Sequence, residues 1–181
     1  MRIIRTITLS EIPVILDRSL EDYRSTGKKS NILFLGEEGF GKAITVSKWI
    51  VKNHFEVTSD LFPQPFESMP EGTIQYSFGD IFLDVLATCN VLFNRRLNMQ
   101  KEEGMSELAE LIKNRSYKGF YGGDHDFKDL FLVVATALPD NGKNDVFSLD
   151  NPIFDLFEIY NVETTVGQLP HPIEGGACEK S

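Results

Sequence analysis

The stretch that decides the fold is NILFLGEEGFGKAITV, which covers residues 31–46. Its first part, 31–35, is a short apolar run with turn residues on both sides, the pattern of a buried strand. After Lys42, the residues AITVSKWIVKNHF place apolar side chains at helical spacing and predict an amphipathic helix. A glycine-rich loop therefore joins a buried strand to a helix, as in the repeating unit of α/β folds.

The loop follows the pattern G-x-x-x-x-G-K and then departs from it. In such a loop, glycines let the backbone wrap a phosphate, amide N–H groups and a helix N-terminus point at the anion, and the lysine neutralises it. The next residue is normally Ser or Thr, whose hydroxyl binds Mg²⁺, and here it is Ala43. We therefore predict a nucleotide-binding loop that consists of Gly36, Glu37, Glu38, Gly39, Phe40, Gly41, Lys42 and Ala43.

An alternative interpretation of this loop is a strand–turn–helix junction that needs glycine for its backbone and binds nothing. Glu37 and Glu38 favour this alternative, because two carboxylates beside a phosphate site repel the anion. The strand before the loop and the helix after it favour phosphate binding instead.

Apolar runs and helical periodicity predict the remaining elements. The predicted strands are 73–78, 89–93, 129–136 and 154–162, the last being a strand or a helix that runs into one. The predicted helices are one capped by Ser10 and ended by Gly27, then 79–87 and 101–114, whereas 58–72, with three prolines, predicts an irregular loop. Alternating strands and helices predict an α/β fold with a mostly parallel, five-stranded sheet covered on both faces.

The composition limits the function classes. The 181-residue chain is long enough for one domain with a sizeable core. Its 27 acidic and 18 basic residues give a net charge of −9, which argues against general binding to nucleic acids or anionic membranes. Its two cysteines lie far apart and outside any zinc motif. With no secretion signal and no membrane-spanning apolar run, we expect a cytoplasmic protein.

Four segments, taken in order, resemble the AAA+ ATPases, most closely their MoxR-like branch, over residues 10–162. NILFLGEEGFGK resembles the family's first strand and Walker A loop, and CNVLFNRRLNM resembles its Walker B strand. LVVATALP resembles the sensor 1 strand, and LDNPIFDLFEIYNV resembles the segment ending in Asp-Arg-Phe before the last core strand. The resemblance implies a three-layer, P-loop NTPase-like sandwich over 1–166, an AAA+ core without the family's helical lid, followed by a flexible tail at 167–181.

The positions where the resemblance places the family's chemistry carry other residues. Phosphoryl transfer depends on positioning and on neutralising charge around the γ-phosphate, so losing several of these groups leaves little to catalyse with. We therefore expect no catalytic residue and no bound Mg²⁺, with ATP or ADP as the ligand that the loop would retain. The replacements are Ala43 for the Mg²⁺-binding hydroxyl, Arg95 and Arg96 for the Walker B acids, Leu138 for the sensor asparagine and Leu156 for the arginine that reaches a neighbouring subunit.

Arg95 and Arg96 admit two interpretations. At the carboxyl end of a strand, the two cations would lie near the nucleotide and contact its phosphates in place of Mg²⁺. Alternatively, they form surface salt bridges with Glu37, Glu38 or the acidic pair at 102–103.

The resulting prediction is a non-hydrolysing AAA+-like protein that works as a protein-binding or assembly module, a profile that suits a phage or mobile-element accessory protein. Its partner would be an AAA+ ATPase or further copies of itself. One alternative is a divergent but active MoxR-type ATPase that uses Lys42 with acids such as Asp80, Asp84 or Glu102. Another is a structural oligomer subunit that binds no nucleotide.

Two further groups of residues have mainly structural interpretations. The run Asp124-His125-Asp126 predicts a solvated turn rather than a metal site, because adjacent residues seldom converge on one ion. Aromatic residues flanking the proline-rich loop predict core packing, with an exposed partner surface as the alternative. They are Phe55, Phe62, Phe66, Tyr76 and Phe78.

Overall fold

The computed structural model describes residues 4–68, 72–142 and 145–163. Its strands are β1 (Arg5–Thr8), β2 (Ser30–Leu35), β3 (Val57–Ser59), β4 (Gln64–Ser68), β5 (Thr73–Ser77), β6 (Val91–Asn94), β7 (Ser116–Lys118), β8 (Asp124–Asp126), β9 (Leu132–Ala137) and β10 (Glu158–Glu163). Its α-helices are α1 (Ile12–Thr26), α2 (Lys42–Lys52), α3 (Asp80–Ala87) and α4 (Met105–Asn114). Short 3-10 turns occur at Leu9–Glu11, Leu97–Met99, Glu102–Gly104 and Pro152–Leu156.

Six of these strands form one parallel sheet in the order β1-β10-β2-β9-β6-β3. Successive residues of a strand point to opposite faces, and both faces of this sheet are buried. Leu132 and Val134 of β9 pack in the core layer with α1 and α2, whereas Val133 and Ala135 pack in the layer with α3 and α4. The predicted α/β, three-layer, P-loop NTPase-like sandwich is therefore confirmed.

In the described part of the chain the sheet has six strands rather than the predicted five. Four predicted strands join it as β2, β6, β9 and β10, and the predicted strand at 73–78 corresponds to β5, which pairs with β4 in a separate hairpin. The two additional sheet strands, β1 and β3, are four and three residues long. Each is half-exposed and lies at a sheet edge, so neither has the continuous apolar run by which buried strands are identified.

The segment 58–72, predicted to be an irregular loop, contains most of β3 and the whole of β4. Pro65 lies within β4, opposite Tyr76 of β5. Proline is tolerated there because both strands of a two-stranded ribbon are edge strands. The N–H that proline lacks can then be one that would point away from the partner strand. The prediction of an irregular loop, which rests on the three prolines, is therefore wrong for this segment.

The start of this helical segment also differs from the prediction, because the capping box lies at Thr8, before the 3-10 turn that leads into α1, rather than at Ser10. Thr8 has extended backbone angles, and its N–H donates to Glu11 Oε2 at 2.8 Å. The Thr8 hydroxyl donates to the same oxygen at 3.1 Å, and the two hydrogen bonds lower the pKa of Glu11. Ser10 lies inside the 3-10 turn that precedes the helix, and Gly27, at φ 73°, ends α1 as predicted.

The aromatic residues around 55–78 divide between core and surface. Phe78 is fully buried, and Phe55 packs edge-on against Phe131 at a centroid distance of 5.2 Å. Phe66 instead contacts the half-exposed ring of Phe120 at 4.5 Å. Core packing is thus confirmed for the first pair and wrong for Phe66.

The described ranges contain no helix that is long and apolar enough to cross a membrane. Cys89, two residues before β6, is a buried free thiol. Cys178 and the tail predicted at 167–181 lie outside the described residues.

Candidate functional site

A cavity of about 680 Å³ lies where the carboxyl ends of β2, β9, β6 and β3 meet. This crevice is where open α/β sheets bind ligands, because the loops that leave the strands diverge there. It is lined by Glu38, Gly39, Phe40, Gly41, Lys42, Ala43, Ile44, Asp60, Phe62, Arg95, Arg96, Gln100, Thr136, Ala137 and Leu138. The structure therefore brings most of the predicted loop together with both predicted arginines.

The loop between β2 and α2 has a backbone that needs glycine at its two ends. A Cβ at Gly36 would lie 2.7 Å from the carbonyl oxygen of Val162, so the adjacent strand leaves no room for a side chain. Gly41, the N-cap of α2, has φ 81°, in the left-handed region that other residues rarely adopt. These two positions let the loop turn tightly from the sheet into the helix.

Lys42 is the first residue of α2 and is buried, with 6% of its surface exposed. Its Nζ donates to the carbonyl oxygens of Gly36 and Glu37, both at 2.6 Å. Burial lowers the pKa of Lys42 to about 8, although Glu37 and Glu38 act in the opposite direction. An ammonium has three donors, so one remains for an anion after two have fixed the loop around the lysine.

Arg95 and Arg96 directly follow β6 and differ in how firmly they are held. Arg95 donates from Nε to Asp60 Oδ2 and from its backbone N–H to Asp60 Oδ1, each at 2.8 Å, and its guanidinium forms an ion pair with the same carboxylate. Arg96 forms an ion pair with Glu38 of the loop. The salt-bridge interpretation is therefore confirmed for Arg96 and Glu38, whereas the partner of Arg95 is Asp60, which sequence reasoning missed.

The backbone of Arg96 is also fixed in an unusual conformation. Its φ is 51°, and its N–H donates to the hydroxyl of Thr136 at 3.0 Å. A non-glycine residue in the left-handed region is strained and persists where its surroundings hold it. Arg96 is thus joined to β9 through Thr136 and to the glycine loop through Glu38.

Two buried asparagines, which sequence reasoning did not identify, hold the rim of the cavity. The amide of Asn94 exchanges hydrogen bonds with the backbone of Leu61, at 3.0 and 3.2 Å. Asn98 does the same with Leu138, which the sequence resemblance aligns with the sensor 1 residue, at 2.7 and 3.0 Å. In the sequence, their only signal is an asparagine within or beside an apolar strand.

The other residues that the sequence singled out lie away from Lys42. Asp80 and Asp84 contact His125 at 3.0 and 3.2 Å, and neither lines the cavity. His125 is part of β8 and only 10% of its side chain is exposed, so the predicted solvated turn is wrong. It is buried because α3 packs against β8, a contact between distant segments.

Glu102 and Leu156 also have structural roles. Glu102 accepts a hydrogen bond from Asn151 at 2.9 Å and lies outside the cavity. Leu156 packs its side chain against the core, and its carbonyl accepts from Asn31 at 2.9 Å.

The residues of the cavity fit a phosphate group and do not fit Mg²⁺. Lys42, the loop amides and two arginines form a donor set suited to oxyanions. Mg²⁺ prefers oxygen ligands, but Ala43 offers a methyl group, and the two carboxylates that line the cavity, Glu38 and Asp60, are paired with arginines. Within the described residues, no three His, Cys, Asp or Glu side chains are placed to hold a metal.

Comparison with known proteins supports the fold. No family model and no curated protein matches the sequence. In structure, 337 solved chains match, so the architecture is a common one. The fold of this chain, a parallel α/β sandwich, is thus shared with solved proteins.

One of these solved structures is the crystal structure of a candidate ATPase from Cytophaga hutchinsonii. The superposition has a TM-score of 0.53 at 16% sequence identity, and it covers 87% of this chain and 52% of that one. The chain thus spans about half the length of that protein, and the likeness concerns the fold.

Proposed function

We propose that this chain is a non-hydrolysing, AAA+-like P-loop module that holds a nucleotide and acts through binding to another protein. The observation that carries the proposal is the pair Arg95 and Arg96 at the carboxyl end of β6, inside the cavity that Lys42 lines. The two arginines stand on the sheet edge that faces the phosphate-binding loop.

The same pair argues against hydrolysis. Cleavage of a γ-phosphate needs a positioned water and charge neutralisation, usually with a metal held by carboxylates. Glu38 and Asp60 are the carboxylates among the described residues that line the cavity, and both are engaged in ion pairs. A guanidinium remains protonated and does not act as a base toward water.

Binding to a protein is supported by the surface of α3. Ile81, Phe82 and Val85 on this short helix are each more than half exposed. Large apolar side chains that share one helix face are typical of contact surfaces. The proposed partner is an AAA+-like subunit, either a second copy of this chain or an AAA+ ATPase. At position 156, where the resemblance places an arginine that completes a neighbouring subunit's site, this chain has leucine.

The nucleotide part is tested by thermal unfolding with and without millimolar ATP or ADP, together with phosphate release. We expect ligand-dependent stabilisation, its loss in Lys42→Ala, and phosphate release at the buffer background. Release that Lys42→Ala abolishes would show an active ATPase. The absence of stabilisation by either nucleotide would leave a structural subunit without nucleotide.

The protein-binding part is tested by sedimentation velocity of the full chain, alone and with a purified AAA+ ATPase. We expect a complex that Phe82→Ser weakens. The matched control is Val14→Ser, which removes an exposed apolar side chain, 60% accessible, from α1 in the opposite layer. Equal effects of both variants, or no complex at all, would contradict the assembly role.

A further inference from the structure

We infer that Arg95 and Arg96 take the place of the metal ion, so that this cavity selects nucleoside polyphosphates free of Mg²⁺. The inference rests on the proposed nucleotide binding and specifies its ligand. It predicts that Mg²⁺ competes with the protein for the nucleotide, whereas a P-loop that binds Mg²⁺ would gain affinity from the metal.

The charge of the cavity supports this ligand. Three cations, Lys42, Arg95 and Arg96, and two carboxylates, Glu38 and Asp60, line it. The side chains that line the cavity therefore carry an excess of positive charge in a chain whose net charge is −9, and Glu37 is a further carboxylate that acts on Lys42 from beside them. A metal-free polyphosphate presents more negative charge to these groups than its Mg²⁺ complex does, because the metal neutralises part of it.

The two arginines have different roles in this proposal. Arg95 is held on Asp60 by its side chain and its backbone, and keeps donors that Asp60 does not engage. Among the described residues, the side-chain contact of Arg96 is the ion pair with Glu38, and the side chains of both residues are more than half exposed. Exposed ion pairs contribute little stability, and a guanidinium binds phosphate oxygens bidentately, so an incoming phosphate replaces Glu38 on Arg96.

Glu38 is accordingly an internal competitor for the anion. The Glu38 carboxylate links the glycine loop to Arg96 at the end of β6. A bound phosphate would link the same two parts of the cavity. The backbone of Arg96, at φ 51° and bonded through its N–H to Thr136, fixes the point from which its side chain leaves the chain. Removing the charge of Glu38 should therefore strengthen anion binding without altering the arginine.

The experiment is isothermal titration of the full chain with ATP in excess EDTA and, separately, in excess MgCl₂. We expect the EDTA condition to give the tighter binding, by about tenfold, as for the loss of one charge-assisted hydrogen bond. Arg96→Ala should weaken binding in EDTA by about tenfold and remove most of the difference between the two conditions. Glu38→Gln should tighten binding in EDTA.

Two further variants keep the result interpretable. Arg96→Gly removes the side chain while suiting the positive φ, so it separates loss of the guanidinium from backbone strain. Arg18→Ala removes an exposed arginine from α1 and should bind like the unmodified chain. Each variant's thermal unfolding is recorded without nucleotide, so that a folding defect is recognised.

The outcomes separate this inference from the proposed function. Binding that requires Mg²⁺, or that is equal in both conditions, overturns the metal-free selection and leaves nucleotide binding intact. Binding in EDTA that neither Arg96 variant weakens also overturns it. No heat and no thermal stabilisation with ATP in either condition overturns the nucleotide-binding proposal as well.

Discussion

The side-chain amide of Asn98 clamps the backbone of Leu138, donating from Nδ2 to its carbonyl oxygen at 2.7 Å and accepting from its N–H at 3.0 Å. Both residues are buried, so these hydrogen bonds have no water to replace them. The clamp joins the turn after β6 to the end of β9 and thereby fixes two sides of the cavity.

Replacing Asn98 by leucine should destabilise the fold. The change leaves a buried N–H and a buried carbonyl of Leu138 without partners, and each such group costs about 1–3 kcal/mol. We expect the free energy of unfolding, measured in urea, to fall by about 2–6 kcal/mol. Asn114→Ala, at the exposed end of α4, is the control and should change it by less than about 0.5 kcal/mol. Equal effects of the two changes would refute a structural role for the clamp.

Nucleotide affinity should fall as the pH rises through about 8, the lowered pKa of Lys42. Below this pH the ammonium is charged before the anion arrives; above it, binding must first take up a proton, because the anion raises the pKa. We expect ATP to bind about tenfold more weakly at pH 9 than at pH 7.5, measured by titration calorimetry in EDTA. Lys42→Ala should bind weakly at both pH values, and an unchanged affinity in the parent chain would disprove the assignment.

The same lowered pKa makes a prediction for the protein without nucleotide. Between pH 8 and the usual lysine value of 10.5, the unfolded chain holds a proton on Lys42 that the folded chain has lost. The unfolded state thus binds more protons in this window, so the contribution of Lys42 to the free energy of unfolding rises with pH. Urea unfolding of the parent chain and of Lys42→Met, compared at pH 8 and 10, should show this rise only in the parent.

His125 should stabilise the protein through Asp80 at neutral pH. The hydrogen bond from His125, with a second from the Tyr121 N–H, lowers the pKa of Asp80. This stabilisation is present above the unfolded pKa of Asp80 and is lost as the pH falls through the lowered folded value. His125→Ala should therefore lower the melting temperature at pH 7 and reduce its dependence on acid.

The control for this prediction is His54→Asn, at an exposed position with φ 56° that suits asparagine. It should leave the acid profile of the melting temperature unchanged. If His125→Ala retains the parent's acid profile, the contact with Asp80 has no energetic role.

Gly36→Ala should destabilise the glycine loop by steric collision. The new Cβ would lie 2.7 Å from the carbonyl oxygen of Val162 in β10. Gly142→Ala is a matched control with φ 73° and open space around its Cβ, and it should cost only the strain of about 1–2 kcal/mol. Urea unfolding should show the larger loss at Gly36, together with loss of ATP binding; a smaller loss there would contradict the close approach.

The sequence predicts those parts of the fold that depend on local pattern. Apolar runs and helical periodicity predict buried strands such as Leu132–Ala137 and the strand–loop–helix around Lys42. β3 and the pairing of β5 do not, because the first is short and half-exposed and the second pairs with β4 rather than with the main sheet. Their places are set by neighbours distant in sequence.

The site divides in the same way. The glycine loop is recognisable because its residues are consecutive, and Arg95 and Arg96 because they stand at the end of an apolar strand. The contact of Arg95 with Asp60 joins the ends of two neighbouring strands, 35 residues apart, so it requires the strand order. The roles of Asn94 and Asn98 depend on burial, which no local pattern encodes.

The strand order has a consequence for synthesis of the chain on the ribosome. β1 is synthesised before every other described strand, yet its neighbour in the sheet is β10, the last described strand, which also separates it from β2. β1 therefore has no sheet partner to pair with until β10 has emerged. Closing such a long segment delays the pairing that completes this edge, so we expect the nascent chain to keep an unfinished side until translation has passed residue 163.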